Sequence, residues 1–187
     1  HWHRAATQFT RVWEDFPVGE LRRYIDWTPF FQAWEIKGRY PDVLNNAATS
    51  EQARSLFDDA QRMLDRVEEE HWLTARGVVG IFPANGVGDD LEVYADEART
   101  TVLTTLHGLR QQGQHRDGVS NKCLSDYVAP KETGVADHVG AFSVTAGLGI
   151  EERLLAFKAD HDDYSAILLE SLADRLAEAF AERLHEK

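Results

Sequence analysis

The chain has 187 residues, 43% of them hydrophobic and 28% charged, which is ordinary for a globular domain and long enough for one sizeable core. No uninterrupted apolar run approaches the ~20 residues of a membrane-spanning helix, and the first residues contain no apolar signal core. The formal net charge of −12 argues against a nucleic-acid partner and favours cationic ones. The single cysteine, Cys123, excludes an internal disulfide framework and a Cys-rich zinc site, so we expect a cytoplasmic protein with no metal ion.

The beginning of the chain carries little regular pattern. Residues 1–20 show no clean hydrophobic period and are predicted to form an arm or linker remnant ahead of one domain that spans 21–187. The next segment, Tyr24–Trp34, contains five aromatic side chains in eleven residues. This density predicts an aromatic plug in the hydrophobic core.

One carboxylate, Asp26, lies in the middle of this aromatic segment. Thr28 precedes Pro29, and the residue before a proline favours extended or turn geometry over helix. A bare buried carboxylate is too costly, so Asp26 must reach water or a polar partner. It is therefore either a turn residue with its head in water or an acid that faces a ligand from an aromatic wall.

The middle of the chain predicts one helix followed by a hairpin. Thr49–Gln52 has the sequence of a capping box and predicts a helix that runs to about Leu73, with its apolar face in the core. Two short apolar runs, Val78–Phe82 and Leu91–Tyr94, predict strands. The glycine-containing link between them, Asn85–Asp90, is typical of a hairpin connection.

The remaining segments complete the predicted fold class. Thr100–Thr105 is rich in β-branched residues and predicts a third strand, after which Leu106–Gln112 is expected to be helical. His138–Thr145 alternates well enough for a fourth strand, and a helix is expected over Glu151–Ala159. We therefore predict an α+β domain with a largely antiparallel twisted sheet flanked by long amphipathic helices.

The last predicted helix, from about Asp162 to Glu186, carries two rows of side chains. Its apolar residues recur every four positions and predict a buried stripe. A second row with the same spacing consists of carboxylates: Glu170, Asp174, Glu178 and Glu182. Like charges at this spacing destabilise an exposed helix by roughly 0.2–0.5 kcal/mol per pair. This acidic ladder is either a solvated face or a wall that faces a cation.

Many ordered segments of the chain resemble the reactivation domain of cobalamin-dependent methionine synthase. The resemblance extends from about Leu21 to the end of the chain. It rests on the segments Tyr24–Trp34, Gly77–Asn85, Val87–Asp90, Leu109–Gln112, Cys123–Lys131, Val139–Phe142 and His161–Tyr164. Matches in this order and with similar spacing are far more specific than a single short motif.

The resemblance implies a function. The domain would bind S-adenosylmethionine and remethylate cobalamin that has been oxidised to its inactive Co(II) state, with the electron supplied by flavodoxin or an equivalent reductase. Asp26 matches the residue that binds the amino end of S-adenosylmethionine, and Glu178 matches an acid near its sulfonium. Asp174 matches the acid associated with the histidine released from cobalt. The cobalamin itself would be held by another domain of the same enzyme.

The sequence also departs from the family pattern. It stops about halfway through the domain it resembles. The family's Arg-Pro-Ala-Pro-Gly-Tyr motif, which contacts the cofactor, would follow later. Residues 1–187 alone are therefore expected to be inactive and to bind S-adenosylmethionine very weakly or not at all. An acidic pair that follows a Thr-Gly-Gly-Leu turn in the family is displaced here to Glu151 and Glu152. The alternative function is a non-catalytic module that docks onto a corrinoid domain or a flavodoxin-like partner. No side chain is assigned a catalytic role.

Overall fold

The computed structural model describes residues 8–47, 49–114, 116 and 118–186. Within them the fold is α+β, as predicted. The strands are β1 (Phe9–Phe16), β2 (Thr74–Val87), β3 (Asp90–Tyr94), β4 (Val102–Leu106) and β5 (Asp137–Leu148). The helices are α1 (Val18–Leu21), α2 (Trp27–Ala33), α3 (Ser50–Glu69), α4 (Ile150–Ala159) and α5 (Asp163–His185).

The strands form one sheet in the order β1-β2-β3-β4, with β5 paired to β2. β2 and β3 form an antiparallel hairpin in which Val87 is paired with Asp90. Gly88, which joins them together with Asp89, has a φ of 62°, a value that glycine adopts without steric cost. The predicted hairpin is therefore confirmed. β3 and β4 are also antiparallel, with a bulge beside Val93 and Tyr94.

The chain divides into two compact units. The first, the helical unit, comprises residues 13–77 and 144–187 and contains the helices α1 to α5. The second, the strand unit, comprises the described residues of the ranges 8–12 and 78–143. Because α2 and α5 both belong to the helical unit, the positions of Asp26, Asp174 and Glu178 relative to one another are defined.

The core of the helical unit follows the predicted periodicity. In α5 the apolar stripe is buried from Leu168 to Phe180, whereas Tyr164 at its beginning is exposed, and the helix packs against α1, α2, α3 and α4. The aromatic plug is confirmed, since Trp27, Phe30 and Phe31 are all buried and contact one another or Phe57 edge-on. Burial of large apolar side chains contributes roughly 1.5–3 kcal/mol each, so the plug is a main source of stability in this unit.

Two predictions about the first part of the chain are wrong. The sequence predicts no regular element before residue 20, whereas β1 occupies Phe9–Phe16; this strand is mostly exposed and is defined by pairing with β2, which a hydrophobic period does not reveal. Residues 1–7 of the predicted arm lie outside the described residues. The sequence also predicts extended or turn geometry at Thr28, but Thr28 and Pro29 lie in the first turn of α2. Proline is tolerated there because a first-turn N–H has no partner within the helix.

Two further predictions fail for conformational reasons. Helix α3 begins where the capping box predicts, but the Thr49 side chain makes no capping hydrogen bond. The ψ of Thr49 is −8° instead of the extended value that aims an N-cap side chain at the first turn. Leu106–Gln112 is not helical beyond the end of β4, because tertiary contacts hold it: Gly108 N donates to Asp90 Oδ1 at 3.0 Å.

Candidate functional site

Asp26 lies at the beginning of helix α2 and caps it. Its Oδ1 accepts a hydrogen bond from the Thr28 backbone N at 2.9 Å. The side chain is exposed, and Oδ2 accepts no hydrogen bond from a described residue. Asp26 is thus a helix cap with its head in water, and its second oxygen is available to another group.

Asp26 shares a groove of about 340 Å³ with Glu178. We call this the α2/α5 groove. Its lining residues are Arg23, Tyr24, Ile25, Asp26, Pro29, Arg175, Glu178, Ala179 and Glu182. Residues 23–29 come from the approach to α2 and its first turn, and residues 175–182 form one face of α5 because they are spaced three and four apart. The fold therefore brings two distant segments of the helical unit to one surface.

The charges around the α2/α5 groove are mixed and unpaired. Three carboxylates, those of Asp26, Glu178 and Glu182, share it with two guanidinium groups, those of Arg23 and Arg175. None of these five groups lies within 4.0 Å of an opposite charge on a described residue. Because these carboxylates and guanidinium groups do not pair with each other, they are available to a ligand that carries both positive and negative charges.

Tyr24 forms a fixed aromatic wall of the groove. Its hydroxyl donates to the Glu186 carboxylate, which raises the pKa of Tyr24. Two guanidinium carbons flank the ring, Arg23 Cζ at 5.1 Å and Arg183 Cζ at 5.7 Å from its centroid. Arg183 is buried and lies 3.8 Å from carboxylate oxygens of both Glu20 and Glu186. The ring is thus held by a hydrogen bond at its hydroxyl and by two guanidinium groups near its π system, as expected for a preorganised surface.

Asp174 does not belong to the groove. It is exposed on α5 and lies one turn before Glu178, and neither it nor Glu170 is among the lining residues. The structure therefore divides the acidic ladder into a half that borders the groove, Glu178 and Glu182, and a half that does not.

Four groove residues received no individual binding role from the sequence: Arg23, Tyr24, Arg175 and Glu182, although Glu182 was part of the predicted acidic ladder. Helical spacing was the available signal for two of them, because Arg175 and Glu182 lie three residues before and four after Glu178. For Arg23 and Tyr24 the signal was only their position directly before Asp26.

The other residues considered from the sequence form no binding site among the described residues. No group of three or more His, Cys, Asp or Glu side chains is arranged to hold a metal ion there. No described helix is both long and apolar enough to cross a membrane. Cys123 is buried, and its Sγ donates to the Asp89 carbonyl at 3.3 Å. Asp162 caps α5, since its Oδ1 accepts a hydrogen bond from Ser165 N at 3.0 Å.

The fold and the groove define an α+β domain that presents an open surface groove of mixed charge. A family model described as "Vitamin B12 dependent methionine synthase, activation domain" matches residues 17–187. The chain belongs to this family. The resemblance drawn from the sequence motifs is therefore confirmed.

A solved structure agrees with this assignment. It is described as "Crystal Structure of the MetH Reactivation Domain bound to AdoHcy", and it is 51% identical to this chain with a TM-score of 0.90. The match covers 98% of this chain and 55% of that one, so the chain spans about half the length of this relative.

Proposed function

We propose that this chain forms part of a reactivation domain that binds S-adenosylmethionine for the reductive remethylation of oxidised cobalamin. The observation that carries the proposal is the α2/α5 groove, in which carboxylates and guanidinium groups face one surface without pairing. The family assignment and a related domain bound to AdoHcy support it.

The residues of the groove fit this ligand chemically. Near neutral pH, S-adenosylmethionine carries a carboxylate, an ammonium and a sulfonium, so it presents one negative and two positive charges. The groove offers three carboxylates and two guanidinium groups. Charges that leave water for a binding site need partners of opposite sign, and hydrogen bonds between charged groups are about twice as strong as neutral ones.

Asp26 and Glu178 have separate roles in this proposal. Asp26 binds the ammonium through Oδ2, since Oδ1 is engaged by Thr28 N. Glu178 lies near the sulfonium and stabilises its positive charge. When bound, S-adenosylmethionine supplies an activated methyl group. The contribution of this chain is to position that group and to stabilise charge, so no side chain acts as an acid, a base or a nucleophile.

Asp174 has a different proposed partner. It is exposed beside the α2/α5 groove but outside it, which leaves its carboxylate accessible to another protein surface. We assign it to contact with the cobalamin-binding domain of the same enzyme, as a partner for the histidine released from cobalt. Flavodoxin or an equivalent reductase supplies the electron. The cytoplasmic location stays a prediction.

The second candidate function is a docking module that binds a corrinoid domain or a flavodoxin-like protein and does not hold the methyl donor. The open form of the groove and its exposed carboxylates are compatible with a protein partner as well. Calorimetric titration of the intact protein with S-adenosylmethionine separates the two. Saturable binding supports the first function, whereas no binding together with intact docking of the cobalamin domain supports the second.

A further inference from the structure

A second cavity of the helical unit, of about 620 Å³, lies at the other end of α2. Asp26 caps the beginning of α2 and Trp34 caps its end, about 12 Å away at the rise of an α-helix. The cavity and the α2/α5 groove share no lining residue. We call the cavity the Trp34 pocket. Its volume lies within the range of small-molecule sites.

The walls and floor of the Trp34 pocket are apolar and aromatic. The rings of Trp34 and Tyr164 meet at 65° with their centroids 5.4 Å apart, and Ile36 and Leu56 form a buried floor. The Tyr164 hydroxyl donates to Asp59 Oδ2 at 2.7 Å. This bond fixes the ring while 45% of Tyr164 stays exposed, so one aromatic surface is presented in a defined orientation.

The rim of the pocket adds uncommitted polar groups. The side chains of Gln52 and Ser55 are exposed on α3 and make no hydrogen bond to a described residue. Trp34 Nε1 likewise donates to no described residue. The amide of Gln52, the hydroxyl of Ser55 and the indole N–H of Trp34 lie around the two aromatic rings. Together they can form hydrogen bonds with the polar edge of a planar ring.

Charge narrows the class of ligand. The lining residues include Glu51 but no lysine or arginine. A phosphate or carboxylate on the ligand would therefore meet a like charge with no cation to offset it. We propose that the Trp34 pocket binds a planar heteroaromatic ring that carries hydrogen-bonding edges and no anionic group, of the nucleobase class, as a site separate from the α2/α5 groove.

The test uses adenine as the probe, titrated calorimetrically into the intact protein at neutral pH. We expect saturable binding with a dissociation constant below about 1 mM. Trp34→Leu removes the stacking surface and should weaken binding roughly 5- to 150-fold, the range measured for base–aromatic stacking. Because Trp34 is half-buried, a second variant is needed that leaves the core unchanged.

Ser55→Phe is that second variant, since Ser55 is exposed on α3 and a large side chain there fills the pocket. It should abolish adenine binding, whereas Asp58→Phe, an exposed position on the same helix outside the pocket, should leave it unchanged. Asp26→Asn should also leave it unchanged, which makes the result independent of the proposed function. Binding that survives Ser55→Phe, binding that is lost in Asp26→Asn, or no saturable binding up to about 1 mM would overturn the inference.

Discussion

Asp26 and Glu178 line the same groove, although one caps helix α2 and the other lies near the end of α5. Neither carboxylate is within 4.0 Å of a cation on a described residue, and two equally unpaired guanidinium groups border the same space. Because unpaired charges of both signs face one surface, we interpret this groove as a binding site for a zwitterionic ligand that carries an additional positive charge.

The acidic ladder of α5 can be tested residue by residue. Glu178→Gln and Glu182→Gln remove groove carboxylates and should each weaken binding of S-adenosylmethionine by about 1 kcal/mol, as expected for an exposed charge pair. Both should leave the free energy of unfolding unchanged or raise it by about 0.2–0.5 kcal/mol for each like-charge pair that is relieved, and Glu178 forms two such pairs, with Asp174 and Glu182.

Glu170→Gln is the matched control, since Glu170 lies on the same ladder but outside the groove. The family resemblance gives no role to Glu182, whereas the groove includes it. An effect of Glu182→Gln on binding would therefore support the groove geometry, and no effect would support the family motifs alone. Equal small effects at Glu170, Glu178 and Glu182, measured by calorimetry and thermal melting, would show that the ladder is only surface charge.

Asp174→Asn should change the conformational equilibrium of the enzyme and not its affinity for the methyl donor. We expect unchanged affinity for S-adenosylmethionine, because Asp174 does not line the groove, but a shifted balance between cobalamin-capped and uncapped conformations. The absorbance spectrum of the bound cobalamin and the rate of reductive remethylation report this balance in the intact enzyme. A spectrum and a rate identical to the wild type would contradict the assigned contact with the released histidine.

The positions of the three longer helices α3, α4 and α5 along the chain could be predicted from the sequence, whereas the short helices α1 and α2 were not predicted. The apolar residues of α5 recur at a spacing that can only be satisfied by burying one face, and Asp162 has the side chain that a helix N-terminus requires. The groove acids Asp26 and Glu178 were identified by resemblance, since nothing in the local sequence sets Glu178 apart from Glu170.

Long-range side-chain contacts were beyond sequence reasoning. Arg110 lies in a segment with apparent helical character, yet its guanidinium bridges Asp89 at 2.7 Å and Asp126 at 2.7 Å, and these contacts determine the backbone. Likewise, no period connects Arg23 with Arg175. They face one groove only because the turn that contains Arg23, just before α2, packs against α5.

Gly108 is required by close packing in the strand unit. A Cβ at this position would lie 2.0 Å from the Asp89 carbonyl oxygen and 2.8 Å from Cys123 Sγ. Since a backbone atom cannot move aside, Gly108→Ala should destabilise the protein by about 2 kcal/mol, within the range of overpacking. Gly147→Ala is the control, because its nearest neighbour, Ala173 Cβ, lies at an ordinary 3.7 Å. Denaturant unfolding that shows equal stability for the two variants would contradict the packing argument.

The Arg110–Asp126 pair predicts a pH dependence. Hydrogen bonds from Arg110 and from Cys123 N lower the pKa of Asp126 from 3.8 to about 2. Since the pKa is lower in the folded state, the pair stabilises the fold above the unfolded pKa of about 4 and loses this contribution as the pH falls toward 2. Asp126→Asn should therefore reduce the melting temperature at pH 6 and flatten its decline between about pH 4 and pH 2. Parallel melting curves for the two proteins over this interval would refute the coupling.

Binding of S-adenosylmethionine by the intact protein, compared between Asp26→Asn and Asp162→Asn, tests the central claim most directly. Both aspartates cap helices through one oxygen, and asparagine is an equally good cap, so both variants should keep the stability of the wild type. If the groove binds the methyl donor, Asp26→Asn should cost roughly 1.5–3 kcal/mol of affinity, the scale of a hydrogen bond to a charged group, and Asp162→Asn nothing. Equal affinities for the two folded variants and the wild type would show that Asp26 is only a helix cap.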